Sequence, residues 1–223
     1  VFVRNVKTNR EEQLIFTDEK VISPGVSLMQ KDKNTDTIRI GYESPKTPTR
    51  VFEYNLKTKD KKLVKEQEVP SGHNRDDYIV KRLNCPSHDG RQIPITITYH
   101  KDTKLDGSAH ILMYGYGSYG SAMTPAFSTA RFSLIQRNII WATCHIRGGF
   151  ERGFHWWREG KLLKKKNTFS DFINCAKFLI KKKYTSQKKI IIFGGSAGGL
   201  LIGNVINQVP ELFLGAVMAV PFV

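Results

Sequence analysis

The stretch Lys189–Gly203, KIIIFGGSAGGLLIG, decides the fold that we predict for the chain. Its first part, Ile190–Phe193, is a short apolar run rich in β-branched residues, which predicts a strand buried on both faces. A glycine-rich turn follows, and Leu200–Ile202 continues with the apolar character of a helix. A strand, a sharp turn and a helix in this order can present one side chain at the edge of a sheet.

The residue presented by this turn is Ser196, because residues 194–198 fit the pattern G-x-S-x-G. We predict that Ser196 is a nucleophile and that the backbone N–H of Ala197 is one oxyanion donor. The helix that follows directs its first N–H groups and its positive dipole end at a developing negative charge. Glycines flank the serine because a Cβ there would clash with the neighbouring strand and helix: Gly194, Gly195, Gly198 and Gly199.

A glycine-rich turn between a strand and a helix has two simpler interpretations, tight packing and phosphate binding. The sequence GGSAGG does not fit G-x-G-x-x-G, and it lacks the Lys and Ser/Thr pair of a P-loop. The flanking strand and helix therefore favour a nucleophile elbow.

Strands alternate with helices around the elbow, which predicts an α/β fold with a mostly parallel sheet. Apolar strands are predicted at 110–114, 139–144 and 214–220, a hairpin at 78–100 and an amphipathic helix from Asn167. We expect a doubly wound sheet. The loops after the first two strands should then lie at its ligand-binding edge.

Residues 1–70 carry short runs that alternate apolar and polar positions, which predicts antiparallel β structure. Runs near 37–44, 51–56 and 61–69 are separated by tight turns and resemble part of one β-propeller blade. A polar, turn-rich stretch follows at Pro70–Asp77 and marks a domain boundary. This stretch therefore separates residues 1–70 from residues 71–223.

The formal net charge of +15 makes polyanion binding a hypothesis to weigh. Lysines cluster at 161–166, 181–183 and 188–189, but no aromatic residues interleave with them as stacking platforms. We prefer a solvated basic face over a nucleic-acid-binding module. No specific nucleic acid and no membrane are expected as partners.

Cysteine usage bears on the compartment and on metal binding. Cys85, Cys144 and Cys175 are widely spaced without a C-x-x-C motif, so we expect no disulfide framework and no metal site. We also expect no cofactor. No apolar run approaches the ~20 residues that span a bilayer, and no secretory signal is recognisable. These features predict a cytoplasmic protein.

Several longer motifs resemble those of a known protein family. They are MYGYGSYG (113–120), HIRGGFERG (145–153), WWREGKLLKKKNTFSDF (156–172), GGSAGG (194–199) and NQVPELFLGAVMAVPFV (207–223). From about Thr37 onward the chain resembles the prolyl oligopeptidase family of serine peptidases. The forms YGYGSYG and KKKNTF favour the branch of that family that cleaves after Arg or Lys. Phe150 stands where the family usually has a third glycine.

The resemblance implies that residues 71–223 are the amino-terminal part of an α/β-hydrolase catalytic domain, whose doubly wound sheet is incomplete in this sequence. It implies that residues 1–70 are a remnant of one or more blades of a β-propeller. In the family this propeller caps the catalytic domain, admits oligopeptides and excludes folded proteins. The resemblance also implies hydrolysis after Arg or Lys by a Ser-Asp-His triad, so the expected partner is an oligopeptide with a basic P1 residue. Carried over by position, Ser196 is the nucleophile, and the Tyr116 hydroxyl and the Ala197 N–H form the oxyanion hole.

The triad is incomplete in this sequence. In α/β hydrolases its order along the chain is Ser, Asp, His, and the residues after Ser196 contain neither Asp nor His. We expect a fragment truncated before these two residues, which is nearly inert unless a separately encoded carboxyl-terminal segment complements it. A decayed pseudoenzyme is one alternative. The other is a dyad with His145, at the end of the strand expected beside the elbow. Against it, His145 occupies a loop position in its motif and not that of the base, and Asp171 opens a helix instead of orienting an imidazole.

Overall fold

The computed structural model describes residues 2–14, 17–21 and 35–222. The chain divides into two units, Val1–Arg75 with Pro125–Ser128, and Asp76–Thr124 with Thr129–Val223. The first division lies inside the polar stretch that the sequence marks as a boundary. The assignment of the first unit to propeller blades remains a prediction.

Short antiparallel sheets build the first unit. Within its described residues, one sheet pairs β1 (Phe2–Arg4) with β2 (Glu11–Gln13), and another is a meander of β3 (Thr37–Tyr42), β4 (Arg50–Asn55) and β5 (Lys61–Glu66). Leu14, Ile40 and Tyr54 form one small apolar cluster in this unit. The antiparallel segment predicted for residues 1–70 is confirmed where the chain is described; residues 15–16 and 22–34 of it lie outside the described residues.

The second unit is organised around one six-stranded mixed sheet. Its strands are β6 (Tyr78–Pro86), β7 (Gln92–His100), β8 (Ile111–Tyr114), β9 (Ile140–Cys144), β10 (Ile190–Gly195) and β11 (Phe213–Ala219). They lie in the order β11-β10-β8-β9-β7-β6. The first four in that order are parallel, whereas β7 pairs antiparallel with both β9 and β6. The predicted α/β-hydrolase-type sheet is therefore confirmed.

Four α-helices connect or cover these strands: α1 (Thr129–Ile135), α2 (Phe154–Arg158), α3 (Lys166–Lys181) and α4 (Ala197–Gln208). The amphipathic pattern of α3 is borne out, because Phe172, Ala176 and Leu179 are fully buried. Burial of one such side chain contributes about 1.5–3 kcal/mol to folding. The sequence did not predict α2, which is too short to show a helical period.

The two faces of the sheet are covered to different extents. On one face Ile111, Met113, Ile190 and Ile192 are fully buried in the core that includes α3 and α4. Because side chains alternate along a strand, Ile191 and Phe193 point to the other face, where both are only half-buried. Helix α1 covers that face over β7 and β9. The prediction that the elbow strand is buried on both faces is therefore wrong for one face.

The parallel strands bring three loops to one edge of the sheet, since the carboxyl ends of β8, β9 and β10 point the same way. They are the turn at Ser196, residues 115–120 after β8 (the Tyr116 loop) and residues 145–153 after β9 (the Arg147 loop). Among the described residues, no helix is long and apolar enough to cross a bilayer.

Candidate active site

Ser196 is the single residue between the end of β10 and the start of α4. Its backbone has φ 54° and ψ −118°, a conformation that L-residues rarely adopt and that costs of order 1–3 kcal/mol. The N–H of Ser196 donates to the carbonyl of Ala219 at 2.9 Å, which ties the turn to β11. The residue is exposed, and its side chain makes no capping bond to α4. The turn therefore presents the Ser196 hydroxyl to solvent.

The glycines around Ser196 differ in what they allow. A Cβ on Gly194 would overlap the carbonyl of Gly198, and one on Gly199 would lie 2.6 Å from Pro221 Cβ. A Cβ on Gly198 would lie 2.8 Å from the carbonyl oxygen of Gly115. These three positions require glycine because backbone or a rigid ring approaches them. Gly195 does not, since its nearest neighbour would be in ordinary contact at 3.5 Å.

Tyr116 lies against the first turn of α4. The same absent Cβ of Gly198 would be 3.4 Å from Tyr116 Cδ2 and 3.5 Å from Tyr116 Cα. The loop is joined to the elbow strand by a hydrogen bond from the N–H of Gly115 to the carbonyl of Phe193, at 3.3 Å. The structure thus brings the Tyr116 loop beside the turn that holds Ser196. The N–H of Ala197, at the first position of α4, has no acceptor within its own helix.

Close backbone contacts join the Tyr116 loop to the Arg147 loop. A Cβ on Gly148, whose φ is +98°, would overlap the carbonyl of Gly117. The N–H of Gly120 donates to the carbonyl of Gly148 at 3.0 Å. Phe150, which replaces a glycine of the family motif, is not among the residues with positive φ, and its ring is exposed. The loop therefore accommodates phenylalanine without strain at that position.

A family model for the prolyl oligopeptidase family matches residues 125–223. The chain is 40% identical over 222 residues to dipeptidyl aminopeptidase BI of Pseudoxanthomonas mexicana, covering 99% of this chain and 30% of that protein. It is 40% identical over 213 residues to protease 2 of Moraxella lacunata, covering 96% and 31%. Oligopeptidase B from Leishmania major has the same fold over 100% of this chain, with a TM-score of 0.86 and 35% identity.

The chain belongs to the prolyl oligopeptidase family. It spans about a third of the length of these relatives, since it covers 30%, 31% and 32% of them. The matched region of the family model contains both the Arg147 loop and Ser196. The motifs quoted from the sequence therefore identified the family correctly.

His145 does not lie beside the turn that holds Ser196. Strand β8 separates β9 from β10, so the expected adjacency of His145 to the elbow strand is wrong. The imidazole is 1% exposed, with Nε2 2.8 Å from Thr96 Oγ1 and Nδ1 3.7 Å from Glu151 Oε1. Burial lowers the pKa of His145 and outweighs the raising effect of Glu151. The ring is a neutral, packed group of the Arg147 loop.

Asp171 is committed to Arg147. Its carboxylate accepts hydrogen bonds from the Arg147 backbone N–H (3.1 Å), Nε (2.8 Å) and Nη2 (2.7 Å), and from Ser87 Oγ (2.6 Å). Asp89 binds the remaining guanidinium nitrogen, Nη1. Burial opposes the charge of Arg147, but the two carboxylates outweigh it and raise the pKa of the guanidinium. Asp171 therefore holds the Arg147 loop to α3 and does not orient an imidazole.

Lys165, which sequence reasoning placed only in a basic cluster, reaches the Tyr116 loop. Its Nζ donates to the carbonyl of Gly117 at 2.6 Å and to Ser118 Oγ at 2.7 Å. The side chain is half-buried, whereas Lys164 and Lys166 on either side are exposed. No sequence signal separates Lys165 from its neighbours, because all three belong to one run of lysines.

The cysteines are core residues. Cys85, Cys144 and Cys175 are free thiols with at most 1% exposure, and all three belong to the apolar core of the second unit. Burial raises the pKa of the Cys175 thiol. Within the described residues, no group of His, Cys, Asp and Glu side chains has a geometry suited to a metal ion.

Proposed function

We propose that this chain is the elbow-bearing part of a serine peptidase, similar to oligopeptidase B, that hydrolyses oligopeptides after Arg or Lys. The observation that carries the proposal is the exposed Ser196 on a strained turn between a parallel strand and a helix, with Tyr116 packed against the first turn of that helix. Membership of a peptidase family supports it.

In this mechanism Ser196 Oγ attacks the carbonyl carbon of the scissile peptide bond and its proton passes to an imidazole base. The Ala197 N–H and the Tyr116 hydroxyl donate to the oxyanion of the tetrahedral intermediate. The imidazole then protonates the leaving amine, and an acyl-enzyme remains on Ser196. Water hydrolyses the ester, with the same imidazole accepting its proton, and the serine hydroxyl is restored.

The proposal requires an imidazole base and a carboxylate that orients it, and both must come from polypeptide outside the 223 residues. His145 and Asp171 are engaged with Thr96 and Arg147, so neither is available to Ser196. Loss of the base histidine of a serine protease costs roughly 10⁶ in kcat. The chain alone is therefore expected to be nearly inert, and complemented chain to be active.

Specificity for Arg or Lys is the finer part of the proposal. It draws on the YGYGSYG and KKKNTF motifs and on the likeness to protease 2 and oligopeptidase B. A second candidate is release of dipeptides from a free amino terminus, which the equal identity to a dipeptidyl aminopeptidase supports. The two activities differ in whether a substrate with a blocked amino terminus is cleaved.

The test mixes the purified chain with a polypeptide that covers the remaining catalytic segment of oligopeptidase B. Four chromogenic substrates separate the alternatives: a blocked and an unblocked peptide ending in Arg, and the same pair ending in Pro. We expect turnover of the blocked Arg substrate, and none by the Ser196→Ala variant. Equal turnover by both chains would contradict the role of Ser196.

A fluorophosphonate probe gives a second measurement on the same mixture. Labelling of the wild-type chain at Ser196 that depends on the added segment supports an assembled nucleophile. Folded, segment-bound chain that is neither labelled nor active would instead identify a pseudoenzyme. Retention on DNA with sub-micromolar affinity at physiological salt would support the nucleic-acid alternative.

A further inference from the structure

Lys165 makes a contact that joins two elements meeting beside the elbow. It is the residue just before α3, and its Nζ reaches Gly117 O at 2.6 Å and Ser118 Oγ at 2.7 Å. These acceptors are the first two residues after Tyr116 in the chain. The ring of Phe169, one turn into α3, lies 5.9 Å from the Nζ and covers the amine.

The position is electrostatically unfavourable for a lysine. The amino-terminal end of a helix carries positive partial charge, and Lys165 stands at that end of α3. Lysines 161, 164 and 166 add further positive charge to the same segment. Desolvation by burial is the cause that lowers the pKa of Lys165, to about 8.

Carboxylates on the neighbouring elements are engaged elsewhere. Asp171 and Asp89 bind Arg147, and Glu159 binds Arg91 at 3.0 Å. Glu151 accepts a hydrogen bond from the N–H of Met123 at 2.9 Å. The groups that face the Lys165 ammonium are thus a carbonyl, a hydroxyl and an aromatic ring, all of them neutral. A residue that lowers stability at its own position is expected where it has another role, such as fixing the geometry of a site.

The Tyr116 loop has few other ties. Gly115 is held to β10 at one end, and Gly120 is held to Gly148 at the other, each through its backbone N–H. Gly117 has φ +66°, and a Cβ there would overlap Thr168. The two bonds from Lys165 hold the middle of the loop, between these ends and directly after Tyr116.

We propose that Lys165 is a positioning residue whose ammonium clamps Gly117 and Ser118 and thereby fixes Tyr116 against the first turn of α4. This inference rests on the proposed function in that Tyr116 is taken as the oxyanion hydroxyl. Hydrogen bonds from a charged donor are roughly twice as strong as those from a neutral one. The clamp therefore weakens when Lys165 loses its proton, near pH 8.

The first test uses the isolated 223-residue chain and needs no catalysis. The amide ¹⁵N–¹H resonances of residues 118–120 are followed from pH 6.5 to 9.5 together with the Lys165 ¹³Cε resonance. We expect both sets to move with one midpoint near pH 8 in the wild-type chain and in the Lys164→Met control. Lys165→Met should abolish the amide titration, and Lys165→Arg should shift it beyond the alkaline end of the range.

Measuring the free energy of unfolding shows whether Lys165 positions Tyr116 or mainly stabilises the fold. We expect Lys165→Met to unfold at a urea concentration equal to or above that of the wild type, because an ammonium is removed from a desolvated site. A large loss of stability in both Lys165→Met and Lys165→Gln would identify a structural role and overturn the proposal. Should the methionine variant fail to fold, Lys165→Gln and the arginine variant carry the same comparison. The proposal would also be overturned if the amide resonances of residues 118–120 did not shift as Lys165 titrates.

The second test measures kinetics in the complemented enzyme. Lys165→Met is expected to lower kcat by roughly tenfold with little change in KM, less than the ~10²–10³ lost with a whole oxyanion donor. Lys165→Arg should restore kcat and move the alkaline limb of its pH profile upward. If the wild-type chain shows no turnover, the proposed function is refuted but the clamp is not, because the resonance titration tests the clamp without catalysis. An unchanged kcat for Lys165→Met would refute the clamp alone.

Discussion

Arg147 and Asp171 form a buried two-point ion pair, with Nε 2.8 Å from Oδ2 and Nη2 2.7 Å from Oδ1. The residues lie 24 positions apart and are 1% and 0% exposed. The pair fastens the loop after β9 to α3, and through Gly148 and Gly117 that loop contacts the Tyr116 loop. The packing of the loops beside the proposed oxyanion hole therefore depends on this ion pair, although neither Arg147 nor Asp171 is a proposed catalytic residue.

We predict that Asp171→Ala lowers the free energy of unfolding by up to about 3–5 kcal/mol, because buried Arg147 stays charged and loses three hydrogen bonds, keeping only Asp89 as a close carboxylate partner. The measurement is urea denaturation of the isolated chain. Arg91→Ala, which removes an ion pair with Glu159 at the surface, is the matched control and should cost less than 1 kcal/mol. The double variant Arg147→Met/Asp171→Leu should recover part of the loss. Equal costs for Asp171→Ala and Arg91→Ala would show that the buried pair contributes nothing special.

Gly148→Ala should destabilise the second unit strongly. The new Cβ meets the carbonyl of Gly117, and φ +98° strains any L-residue. We expect a loss of about 1–3 kcal/mol or more. Gly215→Ala on β11 is the control, since a Cβ there meets nothing within 4 Å, and it should stay within about 0.5 kcal/mol of the wild type. Similar midpoints for the two variants in thermal unfolding would contradict the close backbone contact.

The stability of the chain should fall as the pH drops below about 7, in part through His145. Burial lowers the pKa of this imidazole below its unfolded value of about 6.5. Between the two pKa values the unfolded chain binds more protons, so the free energy of unfolding decreases as the pH is lowered and levels off below the folded pKa. Thr96, Glu151 and Arg82 are the groups that act on the ring.

The measurement is urea denaturation at pH 5, 6, 7 and 8. His145→Gln should make the dependence on pH shallower, because glutamine cannot titrate. A wild-type slope in the His145 variant would mean that this imidazole is not linked to folding.

All three cysteines should resist modification in the native chain. All three thiols are buried, so none is accessible to a reagent, and burial also raises the pKa of the Cys175 thiol. A thiol-specific chromogenic disulfide should therefore react slowly under native conditions and with all three thiols in guanidinium chloride. Rapid native modification of any one would show that the core of the second unit opens readily.

Much of the fold was predictable from local patterns. The predicted strands at 110–114, 139–144 and 214–220 correspond to β8, β9 and β11 within one or two residues. Their apolar runs depend on neighbouring residues alone, and helix α3 has a period long enough to recognise. Helix α2 has only five residues, so no period is visible in it. The coverage of the second sheet face was also not predictable, because it depends on where α1 packs.

The elbow was predictable because its geometry is local. A glycine-rich turn that joins a buried strand to a helix positions Ser196 through residues adjacent to it in sequence. Tyr116 and the family came from motif resemblance. The error over His145 arose because adjacent strands in the sheet are not consecutive in the chain: β8, which precedes β9 in sequence, lies between β9 and β10.

By itself, the sequence determined the α/β class, the turn at Ser196 and the family, since these depend on short-range periodicity and contiguous motifs. Only the tertiary structure decided that Arg147 pairs with Asp171, that His145 faces Thr96 and that Lys165 alone among its neighbouring lysines reaches the Tyr116 loop. A buried polar group takes whichever partner the strand order and helix packing bring within about 3 Å. That choice is made across the fold and leaves no local signal in the chain.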